Sequence, residues 1–156
     1  MTGVGIIEVN GDRVTPVYYD AIRAGSGEFT ERLGIIFSEL RQLIKEYRPD
    51  QAAIETVFVA HNAASAIKLG QARGAAVCAA ISCDVPVSEY SPRSIKQAIV
   101  GRGGADKTQV QHMVGLLLGI SGKIQNDAAD ALAIALCHHH TADTLSRMDV
   151  MQGVSQ

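Results

Sequence analysis

A short β-prone run from Val4 to Val9 leads into Asn10-Gly11, and a second run from Val14 to Ile22 follows it. Asn-Gly between two such runs is the strongest two-residue hairpin signal, so the chain is predicted to open on a β-hairpin. Between Gly27 and Pro49, Leu33, Ile36, Phe37, Leu40, Ile44 and Tyr47 recur at steps of three and four with charges between them. That spacing predicts an amphipathic helix packed on a sheet, stopped by Pro49-Asp50. Gln51 to Glu55 is short and mostly apolar, as a buried strand in an α/β sheet is, and it ends on a carboxylate.

Asn62 is placed to cap a long helix, AASAIKLGQARGAAVCAAIS, in which Ala63, Ala66, Gly70 and Gly74 offer a small-residue face for close packing on a sheet or a second subunit. Val85 to Tyr90 reads as a strand, and Ser91-Pro92 as a helix start. The glycine-rich break Gly101-Arg102-Gly103-Gly104 precedes a helix from Asp106 to Leu118, and Asn126 is expected to cap a last helix, DAADALAIALCHHH. From Asp143 the chain is polar and aperiodic, which predicts a disordered tail over 143–156. Residues 1–142 then form a single α/β domain.

Composition narrows the class. The 156 residues are 47% hydrophobic and 19% charged, and no apolar run approaches the roughly 18 residues of a membrane span. Nothing at the N-terminus reads as a secretory signal, so the expected compartment is the cytoplasm. Three cysteines, Cys78, Cys83 and Cys137, with no CxxC pair, argue against a disulfide framework or a four-thiolate zinc site; Cys78 is expected to be buried and Cys83 at the surface. The formal net charge of −2 does not announce a nucleic-acid partner. Its distribution says more: residues 68–107 carry six basic and three acidic side chains while both flanks are negative, and a basic middle can face phosphates as well as solvent.

Asp127 and Asp130 lie three apart near the start of the last helix, so both project from one face. Acids there also stabilise a helix through its dipole and need no further role. With Glu55 at a strand tip they make up the oxygen-donor set that Mg²⁺ uses beside a phosphate. Cys137 with His138, His139 and His140 suggests a soft-metal cluster, but consecutive helical side chains point in different directions and cannot share one ion.

Three blocks, IETVFVAHNAASAIKLGQARGAAV, SPRSIKQAIVGRGGADKTQVQHMV and DAADALAIA, in this order and spacing, resemble the RuvC family of bacterial Holliday-junction resolvases, within the ribonuclease-H-like superfamily. The resemblance implies a three-layer fold with a central mixed sheet and helices on both faces. It also implies a dimeric, Mg²⁺-dependent endodeoxyribonuclease that nicks opposing strands of a four-way DNA junction in recombination and repair, with RuvA and RuvB as partners. By the same resemblance Glu55, Asp127 and Asp130 are catalytic metal ligands for two ions, for which Mn²⁺ can substitute. Lys96 and Lys107 match basic residues that contact phosphate, with Arg102 in the glycine-rich break as a further contact. Phe58 matches an aromatic wedge that enters the unstacked junction.

Members of that family open with a strand ending in an aspartate, which this sequence, beginning Met1-Thr2-Gly3, does not show. The expected sheet therefore has a gap between the hairpin and the strand carrying Glu55, with unpaired backbone groups on both neighbours. Three origins stay open: a start codon assigned too late, a fragment, or a natural short form that closes the sheet differently. The last would make a non-catalytic junction-binding module, the alternative to the nuclease.

Overall fold

The computed structural model describes residues 1–57 and 62–153, with side chains described as far as Thr144. In chain order the elements are β1 (Thr2–Asn10), β2 (Arg13–Ile22), α1 (Phe29–Tyr47), β3 (Ala52–Glu55), α2 (Ala63–Ile81), β4 (Val87–Tyr90), α3 (Pro92–Val100), α4 (Lys107–Leu118) and α5 (Asn126–Gly153).

β1 and β2 form the predicted antiparallel hairpin, but Asn10 pairs with Arg13, so its turn is Gly11-Asp12 rather than Asn10-Gly11. Gly11 takes φ 61°, the positive value a two-residue turn requires at its first central position. Pro16 sits in β2 opposite Ile7, next to an irregularity between Ile6 and Ile7. A residue without an N–H belongs on an edge strand or at a bulge, and here it meets both conditions.

β3 and β4 pair in parallel, Glu55 opposite Tyr90, and among the described residues no ladder joins them to the hairpin. The central mixed sheet implied by the resemblance is thus represented by two separate two-stranded ladders, and helices supply the continuity between them.

Alternation along β1 builds the layers. Val4 faces a small cluster with Ile22, Ala24, Ile36 and Leu40, joined by Ala72 and Ala75 of α2. Gly3, Gly5 and Ile7 face the other way, where the main core collects Ile95 and Ile99 of α3, Val110, Val114 and Leu118 of α4, and Ala128, Ala129, Leu132, Ala133, Leu136 and Cys137 of α5. Helices therefore cover both faces of the hairpin, and none of those described is long and apolar enough to cross a membrane.

The caps show why the helices start where they do. Asn62 Oδ1 accepts from the Ser65 N–H at 3.1 Å and Ser91 Oγ from the Ser94 N–H at 3.0 Å, with Pro92 in the first turn, as predicted. Asp106 and Gln109 close a reciprocal capping box on α4.

Three expectations need correction. The α5 cap is made by Gln125, whose Oε1 accepts from the Ala128 N–H at 2.8 Å; Asn126 accepts instead from Gln111. α5 also runs on to Gly153, through the region expected to be a disordered tail. No Pro or Gly interrupts it before Gly153, and Thr141 and Thr144 donate their hydroxyls to the carbonyls of Cys137 and His140. On α2 the residues packed within the chain are Ala72, Ala75, Ala79 and Ala80. Gly70 and Gly74 face open space, so of the two uses expected for that face the one on a second subunit stays open, while Cys78, expected to be buried, is exposed and Cys83 is partly covered.

A Cβ on Gly3 would lie 1.9 Å from the Asp127 carbonyl oxygen, and one on Gly5 2.8 Å from the Leu132 nitrogen, so β1 meets α5 backbone to backbone. Gly3→Ala is expected to destabilise by about 1–3 kcal/mol through overpacking. Gly34→Ala, in α1 with open space around it, is expected to stabilise by about 0.5–1 kcal/mol through helix propensity. Urea denaturation of the two variants checks both signs.

Candidate active site

Glu55 ends β3, at the carboxyl edge of the parallel pair, where open α/β sheets place their ligands. Two contacts hold this tip. The Thr56 N–H donates to the Tyr90 carbonyl at 2.9 Å, extending the ladder one residue, and Arg73 of α2 donates Nε–H to the Glu55 carbonyl at 3.0 Å. The same guanidinium pairs with Glu89 Oε2 at 2.7 Å, so α2 is pinned to both strands beside the carboxylate. Nothing local in the sequence marks Arg73 for this task, because its partners are 18 and 16 residues away.

Asp130, in the second turn of α5, accepts from Lys107 Nζ at 2.7 Å. Both side chains are about half exposed, so the pair adds little to stability by itself. Its importance is positional: the first residue of α4 delivers an ammonium group to a carboxylate on α5. The Glu55 carboxyl is held above the ordinary range, first by partial desolvation and then by the nearby negative charge of Asp130, while Lys107 and Lys96 pull it down. Two carboxylates and two ammonium groups from β3, α5, α4 and α3 thus share one electrostatic environment.

Asp127 stands apart from that group. Its Oδ2 accepts from Gln125 Nε2 at 2.7 Å, inside the α5 cap, and its backbone lies against Gly3. Among the described residues no three His, Cys, Asp or Glu side chains converge on one point. The structure therefore brings together Glu55 and Asp130, with Lys96 and Lys107, and leaves Asp127 about one turn away. Arg102 donates Nη2 to Gln109 Oε1 at 2.9 Å, bracing the first turn of α4 that carries Lys107. Phe58 lies outside the described residues.

As a donor set, two carboxylates suit a hard divalent cation, which commonly takes one or two carboxylates from the protein. The soft-donor cluster considered at Cys137 to His140 is not formed. Cys137 is buried, His138 bonds to Tyr90 and Gln51, and His140 to the Ala98 carbonyl.

The model of the family described as crossover junction endodeoxyribonuclease RuvC matches residues 1–138. The chain belongs to the RuvC family. It is 52% identical over 151 residues to the crossover junction endodeoxyribonuclease RuvC of Xanthomonas axonopodis pv. citri (strain 306), a match covering 96% of this chain and 87% of that protein. It is 55% identical over 148 residues to the RuvC of Marinobacter nauticus (strain ATCC 700491 / DSM 11845 / VT8), covering 95% and 85%. Among solved structures, T. thermophilus RuvC in complex with a Holliday junction substrate superposes with a TM-score of 0.84 at 34% identity, covering 90% of this chain and 87% of that one. A second T. thermophilus RuvC structure gives 0.80 at 33% identity. The three sequence blocks that resemble RuvC map onto β3–α2, α3–α4 and the start of α5, the elements that assemble the carboxylate and lysine cluster.

Because the folded state raises the Glu55 pKa, it holds that proton more tightly than the unfolded chain does, and ionisation above the folded pKa costs stability. Glu55→Gln is therefore expected to melt higher than the parent at pH 7.5 without divalent cations. The advantage should shrink to nothing as the pH falls below the ordinary glutamate value of 4.5. Thermal melts across that range check the sign.

Proposed function

We propose that this chain is a structure-specific endodeoxyribonuclease that resolves four-way DNA junctions by divalent-cation-dependent phosphodiester hydrolysis. The observation that carries the reading is the electrostatic grouping of Glu55, at the carboxyl edge of β3 and β4, with Asp130, Lys96 and Lys107, and the Lys107–Asp130 bond at 2.7 Å, in a chain of the RuvC family.

Glu55 and Asp130 would hold the cation, expected to be Mg²⁺ with Mn²⁺ as a substitute. When bound, such an ion supplies Lewis-acid polarisation of a phosphate oxygen and a more acidic water. The chain's own groups account for the rest. Burial first, and then the charge of Asp130, raises the Glu55 pKa, so holding a cation there would be coupled to full ionisation of Glu55. Lys107 pairs with Asp130, and beside a bound cation its ammonium group would be placed to contact a phosphate oxygen. Lys96 adds a second positive charge that favours the crowded anionic transition state. Asp127, whose side chain is held by Gln125, would be the further carboxylate available to a second ion.

Junction DNA is the substrate in this reading, with Arg102 and the two lysines on backbone phosphates and Phe58 as the wedge at the branch point. Two opposed nicks require two active centres, so the chain acts as a homodimer. α2 offers the surface, since Ile67 and Leu69 are 62% and 57% exposed there. RuvA and RuvB are the expected branch-migration partners, in the cytoplasm.

Cleavage of a synthetic four-way junction tests the reading. With Mg²⁺ the parent is expected to yield paired nicks, and Glu55→Gln or Asp130→Asn to lower the rate by at least about 100-fold while leaving junction affinity within about twofold. Replacing Lys96 and Lys107 together by alanine should weaken binding and flatten its dependence on salt by about two phosphate contacts. Binding without any cation-dependent product would leave a junction-binding module instead. Sedimentation equilibrium should report a dimer at micromolar concentration, and Ile67→Asp should shift it to monomer.

A further inference from the structure

α5 carries Asp130, whereas Glu55 belongs to β3, and the two elements share no backbone ladder. The face that α5 turns inward is built from Ala128, Ala129, Leu132, Ala133, Leu136 and Cys137. Apolar burial of this kind is non-directional and draws the helix in without specifying its height over β3 and β4. Something else must hold the helix at one height against β3 and β4.

His138 meets that need. Its Nδ1 lies 2.8 Å from the Tyr90 hydroxyl and its Nε2 2.5 Å from Gln51 Oε1. With Nε2–H donating to the amide oxygen, Nδ1 is free to accept from the phenol. The Tyr90 ring also meets the imidazole edge-on, centroids 5.7 Å apart. Tyr90 is the β4 partner of Glu55, and its carbonyl takes the N–H of the next residue, Thr56. Gln51 immediately precedes β3. One half-buried ring on α5 therefore grips both strands of the parallel pair, from a position eight residues, about 12 Å of helix, beyond Asp130. Burial disfavours the charged imidazole, in keeping with a ring that serves as a neutral bridge.

We infer that His138 is a positioning residue: through Tyr90 and Gln51 it sets the height and rotation of α5 over β3 and β4, and thereby the separation of the Asp130 and Glu55 carboxylates. This inference rests on the reading of that pair as the cation site. It assigns to the His138 to His140 run a role that is neither ligation nor acid-base catalysis.

The test follows Mn²⁺ binding to the DNA-free protein by electron paramagnetic resonance, alongside the Mg²⁺ midpoint of junction cleavage and thermal melts. His138→Leu keeps the bulk and removes both hydrogen bonds. It is expected to weaken Glu55-dependent Mn²⁺ binding, and to raise the Mg²⁺ midpoint, by about three- to tenfold, with junction affinity in EDTA unchanged. Tyr90→Phe removes one of the two bonds from the strand side and should reproduce part of the loss, which also covers a His138→Leu that fails to fold. His138→Asn, whose amide nitrogen or oxygen occupies the place of Nδ1, should recover the Tyr90 share. If His138→Leu and Tyr90→Phe lower the melting temperature but leave the Mn²⁺ affinity and Mg²⁺ midpoint at parent values, His138 is merely structural and the inference fails while the cation site stands. If the parent itself shows no Mn²⁺ binding that Glu55→Gln removes, the cation site fails and takes the inference with it.

Discussion

The packing of α5 across the molecule is the constraint on which the rest of the structure depends. With the strands divided into two ladders, backbone hydrogen bonds alone cannot hold the hairpin to the β3–β4 pair. α5 does so from one side: its carbonyls and amides press on Gly3 and Gly5 of β1, its buried stripe closes the core with α3 and α4, and His138 reaches Tyr90 and Gln51. Hydrophobic burial supplies the attraction. Direction comes from the few contacts that tolerate no slack, the glycine seats and the imidazole bridge.

The same helix brings the chemistry. Its first two turns carry Asp127 and Asp130, and their different surroundings follow from the cap. Gln125 satisfies the Ala128 N–H with one atom of its amide and Asp127 with the other, so the first carboxylate is spent on starting the helix. Asp130 lies beyond the cap and is available to Lys107 and to the field of Glu55. Two acids three residues apart, equivalent on a helical wheel, are thus distinguished by one preceding residue. Charge balance completes the arrangement: α3 and α4 contribute the lysines whose charge offsets that of Asp130 on Glu55 at a partly desolvated strand tip.

Much of this was legible beforehand because it is local. Hairpin, caps and helix stops are written in neighbouring residues, and Asn62, Ser91-Pro92 and Asp106 do what their types dictate. Glu55 at a strand end and the Asp127/Asp130 spacing were readable for the same reason. The errors fall where two local solutions compete or where a distant partner decides. Gln125 and Asn126 can each cap α5, and the longer side chain, which also reaches Asp127, takes the position. A polar segment after Asp143 has no apolar period, yet it continues a helix already nucleated, which is far easier than starting one. Arg73, Tyr90 and Gln51 gave no signal at all, since their partners lie in other elements.

The three histidines show how a negative conclusion from sequence becomes a positive one in structure. Adjacent positions on a helix are about 100° apart, which prevents one ion from being shared but allows each ring a different neighbour. His138 takes the strands, and His140 takes the Ala98 carbonyl of α3. A run that looks like a ligand set instead supplies two separate struts from one turn of α5, His138 to the strands and His140 to α3. Such struts matter most where, among the described residues, the two ladders are not joined to each other. Where a continuous sheet would position the carboxylate-bearing strand and helix through shared backbone pairing, here side chains must carry that geometric information, and imidazole, rigid and bonded at both nitrogens, transmits it with little loss.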